Sequence, residues 1–153
     1  MMSEHEISIG DYKVFVFDLD NTLYLHSVNV EYRDKYTIKI REFLYSLKES
    51  GKIVCLATHN KSPYHYLHKM DIYDAFHEII YETRDVNPYK NSILEYTNKK
   101  DMIHEILKKT NLTNEDVVFF DDHSYNIDEV KSLGIESVYV SSKTGILLEN
   151  IRA

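Results

Sequence analysis

Apolar positions along this chain follow two rhythms. Four runs are nearly continuous, "KVFVFDL" (13–19), "KIVCLAT" (52–58), "DVVFFDD" (116–122) and "ESVYV" (136–140), and "HEIIYE" (77–82) is a shorter fifth. A strand covered by helices on both faces needs this continuity, whereas a half-exposed strand alternates. Between these runs the period lengthens. "YTIKIREFLYSLKES" (36–50) carries the apolar residues Ile38, Ile40, Phe43, Leu44 and Leu47 at helical spacing and is followed by Gly51, which suits a helix end that needs positive φ. "SPYHYLHKM" (62–70) opens with Ser62 as a helix cap and Pro63 at the first helical position. "DMIHEILKKT" (101–110) aligns Met102, Ile103, Ile106 and Leu107, with Asp101 at its start and two lysines in its last turn, and "NIDEVKSLG" (126–134) ends on a glycine. "GILLENIR" (145–152) reads as a last helix. Strand and helix alternating in this order predict an α/β fold, a three-layer, Rossmann-like, doubly wound parallel sheet of about five strands.

Such sheets bind ligands beyond the carboxyl ends of their strands. Asp18 and Asp20 follow the first strand, Thr58 ends the second, and Asp121 and Asp122 end the strand at 116–120. Side chains two apart on an extended chain point the same way, so Asp18 and Asp20 are expected to face one small volume, with a backbone carbonyl between them as a further oxygen ligand. Asp122 is expected to reach the same place. Carboxylates gathered in one cleft need a cation or a shared proton to offset their repulsion. A site offering only a few oxygens suits Mg²⁺, which keeps several waters and takes one or two carboxylates. Zinc is disfavoured, because Cys55 is the only cysteine and His65 and His68 read as a solvated helix face.

Composition narrows the class. A chain of 153 residues is expected to form a single domain over 1–153. The net charge is −7 and the basic residues are scattered, with pairs only at Lys99–Lys100 and Lys108–Lys109, which disfavours nucleic acid as a partner. The opening "MMSEHEISIG" lacks a signal-like apolar core and no apolar run approaches the ~20 residues of a membrane span, so a cytoplasmic protein is expected. Cys55, inside an apolar run, reads as a buried inert thiol. The 13 tyrosines are dispersed and read as packing and surface contacts.

Taken together, "DLDNT" (Asp18, Asp20, Thr22), "CLATHN" (Thr58), a lysine before a helix and "VVFFDDHSYNI" resemble, in order and setting, the haloacid dehalogenase superfamily of aspartate-nucleophile phosphatases. The resemblance covers most of the chain. It implies Asp18 as nucleophile, Asp20 as the acid and base, and Thr58 and Lys99 as holders of the phosphoryl oxygens, with Thr22, His59 and Asn60 beside them. "TNKKDM" offers Lys99 or Lys100, and the register of the following helix favours Lys99; Lys90 is a poorer third. The metal set implied is Asp18, Asp20, Asp122 and Asp121, with Asp122 the direct ligand and Asp121 behind it, and Asn126 closes the site. An aspartate at position 20 points to a Mg²⁺-dependent phosphoric monoester hydrolase rather than a dehalogenase. A phosphorylated receiver domain uses similar groups but carries its acidic pair on its first strand, so the late "FFDD" excludes it.

Spacing bears on substrate. The 37 residues between Asp20 and Thr58 and the 40 between Thr58 and Lys99 leave only 83–98 as spare loop, too short for a separate cap domain. Capless members resembling this chain act on bulky or macromolecular phosphates or borrow a neighbouring subunit as a lid, so a homo-oligomer is one expectation. "DLDNTLY" with "FFDDHSYNI" looks most like the small magnesium-dependent phosphatases that take phosphotyrosine and phosphorylated sugar adducts. The chain departs from them at Thr58-His59-Asn60, where that branch carries Ser-Arg-Thr. Tyr24 and His26, after the first motif, and His123 and Tyr125 are candidates for substrate contact or for packing. The expected partner is a phosphorylated small molecule or an exposed phosphate on a macromolecule. The alternatives are a nucleotide or polynucleotide-end phosphatase, and a non-enzymatic binding module of the same fold.

Overall fold

Residues 6–82 and 98–153 are described by the structure, a computed structural model, and all five apolar runs are strands in it. A short β1 (Ile7–Ser8) precedes β2 (Val14–Phe17), β3 (Ile53–Thr58), β4 (Glu78–Tyr81), β5 (Val117–Asp121) and β6 (Glu136–Tyr139). β2 to β6 form one parallel sheet in the order β4-β3-β2-β5-β6, which β1 does not join. Helices α1 (Val30–Glu49), α2 (Pro63–Lys69), α3 (Lys99–Thr110) and α4 (Ser124–Lys131) connect and cover it.

The parity of the strands sorts the core into two layers. Phe15 and Phe17 of β2, Val54 and Leu56 of β3, and Val118 and Phe120 of β5 pack with Ile40, Leu44 and Leu47 of α1 and Leu67 of α2. Val14, Val16, Cys55, Ala57, Val117 and Phe119 pack on the other side with Met102, Ile103 and Ile106 of α3 and Ile127 and Val130 of α4. Both faces are therefore dry, which is why the strands read as continuous apolar runs. Cys55 is fully buried, and burial, with Glu78 nearby, pushes its thiol up to about 12, as an inert thiol requires.

Several elements differ from the sequence reading, α4 among them, which begins at Ser124 rather than at Asn126. α1 begins at Val30, six residues early, because Asn29 caps it by accepting from the Tyr32 N–H at 2.8 Å, while its first turns are too polar to show a stripe. α3 begins at Lys99 because Asn98 accepts from the Asp101 N–H at 2.9 Å. The last helix expected at 145–152 is absent. Leu148–Asn150 make one 3₁₀ turn, and β7 (Ile151–Arg152) pairs in parallel with β1, Ile7 opposite Ile151. Tertiary pairing with the distant first strand outcompetes eight residues of helix, too few to be stable alone. The expected spare loop lies, apart from Asn98, outside the described residues, as does Lys90. No helix among the described residues is long and apolar enough to cross a membrane.

β2, first of the five apolar runs, stands at the centre. The chain proceeds from it to β3 and β4 on one side, then crosses to β5 and β6 on the other. The cleft beyond the ends of β2 and β5 is thus a topological switch point, where the connections part and leave room for a ligand.

Candidate active site

Phe17 of β2 is paired with Phe120 of β5, so the next residues, Asp18 and Asp121, come out of the sheet side by side. The Asp18 N–H donates to the Phe120 carbonyl at 2.9 Å, which fixes the level at which the two acids emerge. Both are buried, with Thr22, Thr58 and Lys99. Asp18, Asp121 and Asp122 each place a carboxylate oxygen within 4.8 Å of the others.

One cation answers this cluster. Lys99, 1 % exposed at the first position of α3, donates from Nζ to Asp18 Oδ1 at 2.8 Å and to the Ala57 carbonyl at 2.7 Å, and lies 3.0 Å from Asp121 Oδ2. Burial works to lower its pKa, but Asp18 and Asp121 outweigh that and hold the ammonium above its usual value. Lys100 is half-buried, and Lys99 alone of the pair reaches the carboxylates.

The three acids differ in what they have left to offer. Asp121 is spent: Oδ1 accepts from the His123 N–H at 2.9 Å, and Oδ2 from Asn126 Nδ2 at 3.1 Å beside its ion pair with Lys99. Asp18 accepts from Thr22 Oγ1 at a long 3.3 Å besides Lys99, and burial raises its pKa while Lys99 opposes. Asp122 is half-buried, and desolvation with the adjoining Asp18 carboxylate pushes its pKa up to about 7. Asp18 and Asp122 therefore have oxygens that a small cation would take, and an all-oxygen set of one or two carboxylates fits Mg²⁺.

Asp20 stands outside that cluster of three. β2 ends at Phe17, so the regular two-residue alternation of a strand does not extend over Asp18 to Asp20, and the turn that follows, in which Asn21 adopts a left-handed φ of 61° and its Oδ1 accepts from the His26 N–H at 3.1 Å, brings His26 back towards Asp20. Asp20 Oδ1 meets His26 Nε2 at 2.7 Å, and Asn60 Nδ2 spans both oxygens at 3.3 and 3.2 Å. Of the four acids expected at a metal, Asp20 and Asp121 both have their two carboxylate oxygens engaged by other groups.

The remaining candidates ring the cluster. Thr58 Oγ1 accepts from the Asn60 N–H at 3.1 Å, and Asn60 Oδ1 from Ser62 N at 2.8 Å, so Asn60 supports the loop as well as Asp20. His59 is exposed, its imidazole held below its usual pKa by partial burial and by Lys99. It lines a cavity of about 270 Å³ with Asn98, His123, Tyr125 and Asn126. A second, more apolar cavity of about 210 Å³, bounded by Val138, Val140, Ile146 and Ile151 among others, has no charged side chain in its lining. Sequence reasoning passed over Asn98, whose signal is the Asn-x-x-Asp spacing of a cap, and Tyr36. The buried Tyr36 hydroxyl donates to the Thr22 carbonyl at 2.6 Å and accepts from the Ile146 N–H at 2.8 Å, tying the turn to the C-terminal segment. The tyrosines are also less dispersed than the sequence suggests: Tyr24 packs against His26 and Tyr66, ring centres 4.8 and 4.9 Å away.

Comparison with known proteins adds a family and a fold. The family profile described as Acid Phosphatase matches residues 39–153, a span that holds Thr58, Lys99, Asp121 and Asp122. No curated protein matches the chain. Among solved structures, the N-terminal part of a Bacteroides fragilis protein, containing a phosphatase domain and complexed with Mg, superposes with a TM-score of 0.68 at 18% identity. The match covers 92% of this chain but only 39% of that one. A predicted phosphoglycolate phosphatase from Haemophilus somnus gives a TM-score of 0.59 at 14% identity, over 92% of this chain and 91% of that one. The 3-deoxy-D-manno-octulosonate 8-phosphate phosphatase of Moraxella catarrhalis, in complex with magnesium, phosphate and its sugar, gives 0.55 at 19% identity, over 82% and 66%.

Proposed function

The chain belongs to the acid phosphatase family, and from that premise we propose that it is a phosphoric monoester hydrolase of the haloacid dehalogenase type that works through an aspartyl phosphate on Asp18. In this reading an Asp18 oxygen attacks phosphorus, the ester P–O bond breaks, and the departing oxygen takes the proton of the Asp20 carboxyl. Water then attacks the same phosphorus and gives its proton to Asp20, the Asp18–phosphorus bond breaks, and inorganic phosphate leaves. Two easier displacements replace one hard one.

Lys99 is the observation that carries the reading. An ammonium buried between two carboxylates is a poor device for stability, because desolvating three charges costs more than packing apolar groups in their place. At the ligand-binding end of the sheet the same arrangement neutralises charge on a transferring phosphoryl group, which is most of what a protein contributes to that chemistry. Thr58 and Lys99, with Thr22, His59 and Asn60 around them, are the groups assigned to the phosphoryl oxygens. Mg²⁺ held by Asp18 and Asp122 would supply further charge neutralisation there, with Asp121 keeping Lys99 and the His123 backbone in place behind them. The substrates proposed are small phosphorylated molecules or exposed phosphates on a macromolecule, of phosphotyrosine or phosphosugar type. The exposed ring of Tyr125 beside His59 and His123 suits the contact with a ring-bearing substrate.

Hydrolysis of p-nitrophenyl phosphate with Mg²⁺, with EDTA and with Asp18→Asn tests this. Turnover is expected to vanish with EDTA and to fall at least about 10³-fold in the variant. Turnover surviving in Asp18→Asn, or none by folded, Mg²⁺-supplied protein, would overturn the reading.

A further inference from the structure

His26 makes the shortest contact of the Asp20 carboxylate, Nε2 to Oδ1 at 2.7 Å. Its backbone and its ring are each held by neighbours. The His26 N–H donates to Asn21 Oδ1 at 3.1 Å, and its carbonyl accepts from Arg33 Nη2 at 3.2 Å. Arg33 Nε also donates to the Leu25 carbonyl at 2.6 Å, so the strand of chain before His26 hangs from the first turn of α1. The imidazole edge lies against Tyr24 and Tyr66, with ring centres 4.8 and 5.8 Å away. Both partners of the contact are more than a third exposed, and a pair in that setting adds little to stability. What the contact does is orient a carboxyl group. With Oδ1 held by the imidazole and reached by Asn60 at only 3.3 Å, Oδ2, which has the Asn60 amide alone at 3.2 Å, is the oxygen free to carry the proton.

We propose that His26 is a positioning residue for Asp20: its imidazole holds Oδ1 so that the protonated Oδ2 faces the leaving-group oxygen. The inference rests on the role given to Asp20 above. A proton delivered in the transition state matters in proportion to the basicity of the leaving oxygen, and a misplaced donor loses that part of the rate selectively. Nitrophenolate leaves with little help, whereas a benzyl alkoxide needs a full proton.

The test is kcat/KM for p-nitrophenyl phosphate and for benzyl phosphate with Mg²⁺, in the wild type, His26→Ala and His26→Gln. This ratio reports the first chemical step even where breakdown of the intermediate limits kcat. His26→Ala is expected to lose about threefold with the nitrophenyl ester and about 30-fold or more with the benzyl ester. His26→Gln, whose side-chain amide still donates, is expected to recover most of the benzyl loss while both variants melt within about 2 °C of wild type. Equal losses on the two esters, or no loss, would overturn the positioning role and leave the phosphatase reading intact. A wild type that cleaves neither ester overturns both.

Discussion

Lys99 Nζ lies 2.8 Å from Asp18 and 3.0 Å from Asp121, and it is the single cation within a cluster of three acids among the described residues. Removing its charge would leave Asp18 and Asp121 buried without compensation, and breaking a buried pair in this way costs about 3–5 kcal/mol. Lys99→Met is therefore expected to lower thermal stability sharply in EDTA and, even when folded, to reduce hydrolysis by at least about 100-fold. Lys100→Ala is expected to stay within about 0.5 kcal/mol of wild type and keep its activity. Urea titration and turnover of the two variants side by side check the choice between adjacent lysines; equal damage by both would contradict it.

Gly145, between β6 and the last turn, shows how a connecting element shapes the site. Its φ is +73°, and a β-carbon there would overlap the Tyr36 ring. That ring carries the hydroxyl bridging Thr22, beside Asp18, to Ile146. Gly145→Ala thus combines backbone strain with overpacking, about 2–4 kcal/mol together, and is expected to lower Tm by roughly 5–15 °C. Gly51, at the end of α1, has φ +88° but open space around it, so Gly51→Ala should cost only the strain, about 1 kcal/mol. Differential scanning calorimetry of both separates crowding from strain. If the crowding passes through Tyr36 to the turn, Gly145→Ala also loses activity at temperatures where it is still folded, and Gly51→Ala does not.

Across the whole molecule, five parallel strands deliver acids from β2 and β5 to one cleft, and the fold must tolerate their repulsion. The Asp122 carboxyl, raised by desolvation and by Asp18 to about 7, binds a proton in the folded state at pH values where the unfolded chain has lost it. Metal-free protein is therefore expected to lose stability as pH rises from about 4 to about 7, with no further contribution from this group above that. A divalent cation competes with that proton. The increase in Tm produced by Mg²⁺ is expected to grow as pH rises through about 7, being small near pH 5.5 and full by pH 8, in EDTA-matched melts. A Mg²⁺ effect equal at both pH values would show that Asp122 does not bind the ion.

Much of this was legible in the chain because it depends on local pattern. Continuous apolar runs at 13–19, 52–58 and 116–122 dictate strands buried on both faces, and the change of period between them dictates the covering helices. Asp18, Thr58, Asp121 and Asp122 follow from strand ends, since a parallel sheet gathers its carboxyl ends on one edge. What needed the tertiary structure was whatever depends on partners distant in sequence. The register of the following helix favours Lys99 over its neighbour Lys100, but the docking of α3 on the sheet is what brings its ammonium to Asp18, 81 positions away. The run at 145–152 is apolar enough for a helix, yet β1 offers it a strand partner 144 positions away. Asp20 shares a strand end with Asp18 by sequence, but the turn after it returns His26 to its carboxylate, and Asn60, 40 positions on, meets the same group. Periodicity fixes which face a residue belongs to along one element; which atoms meet there is set by how the elements pack.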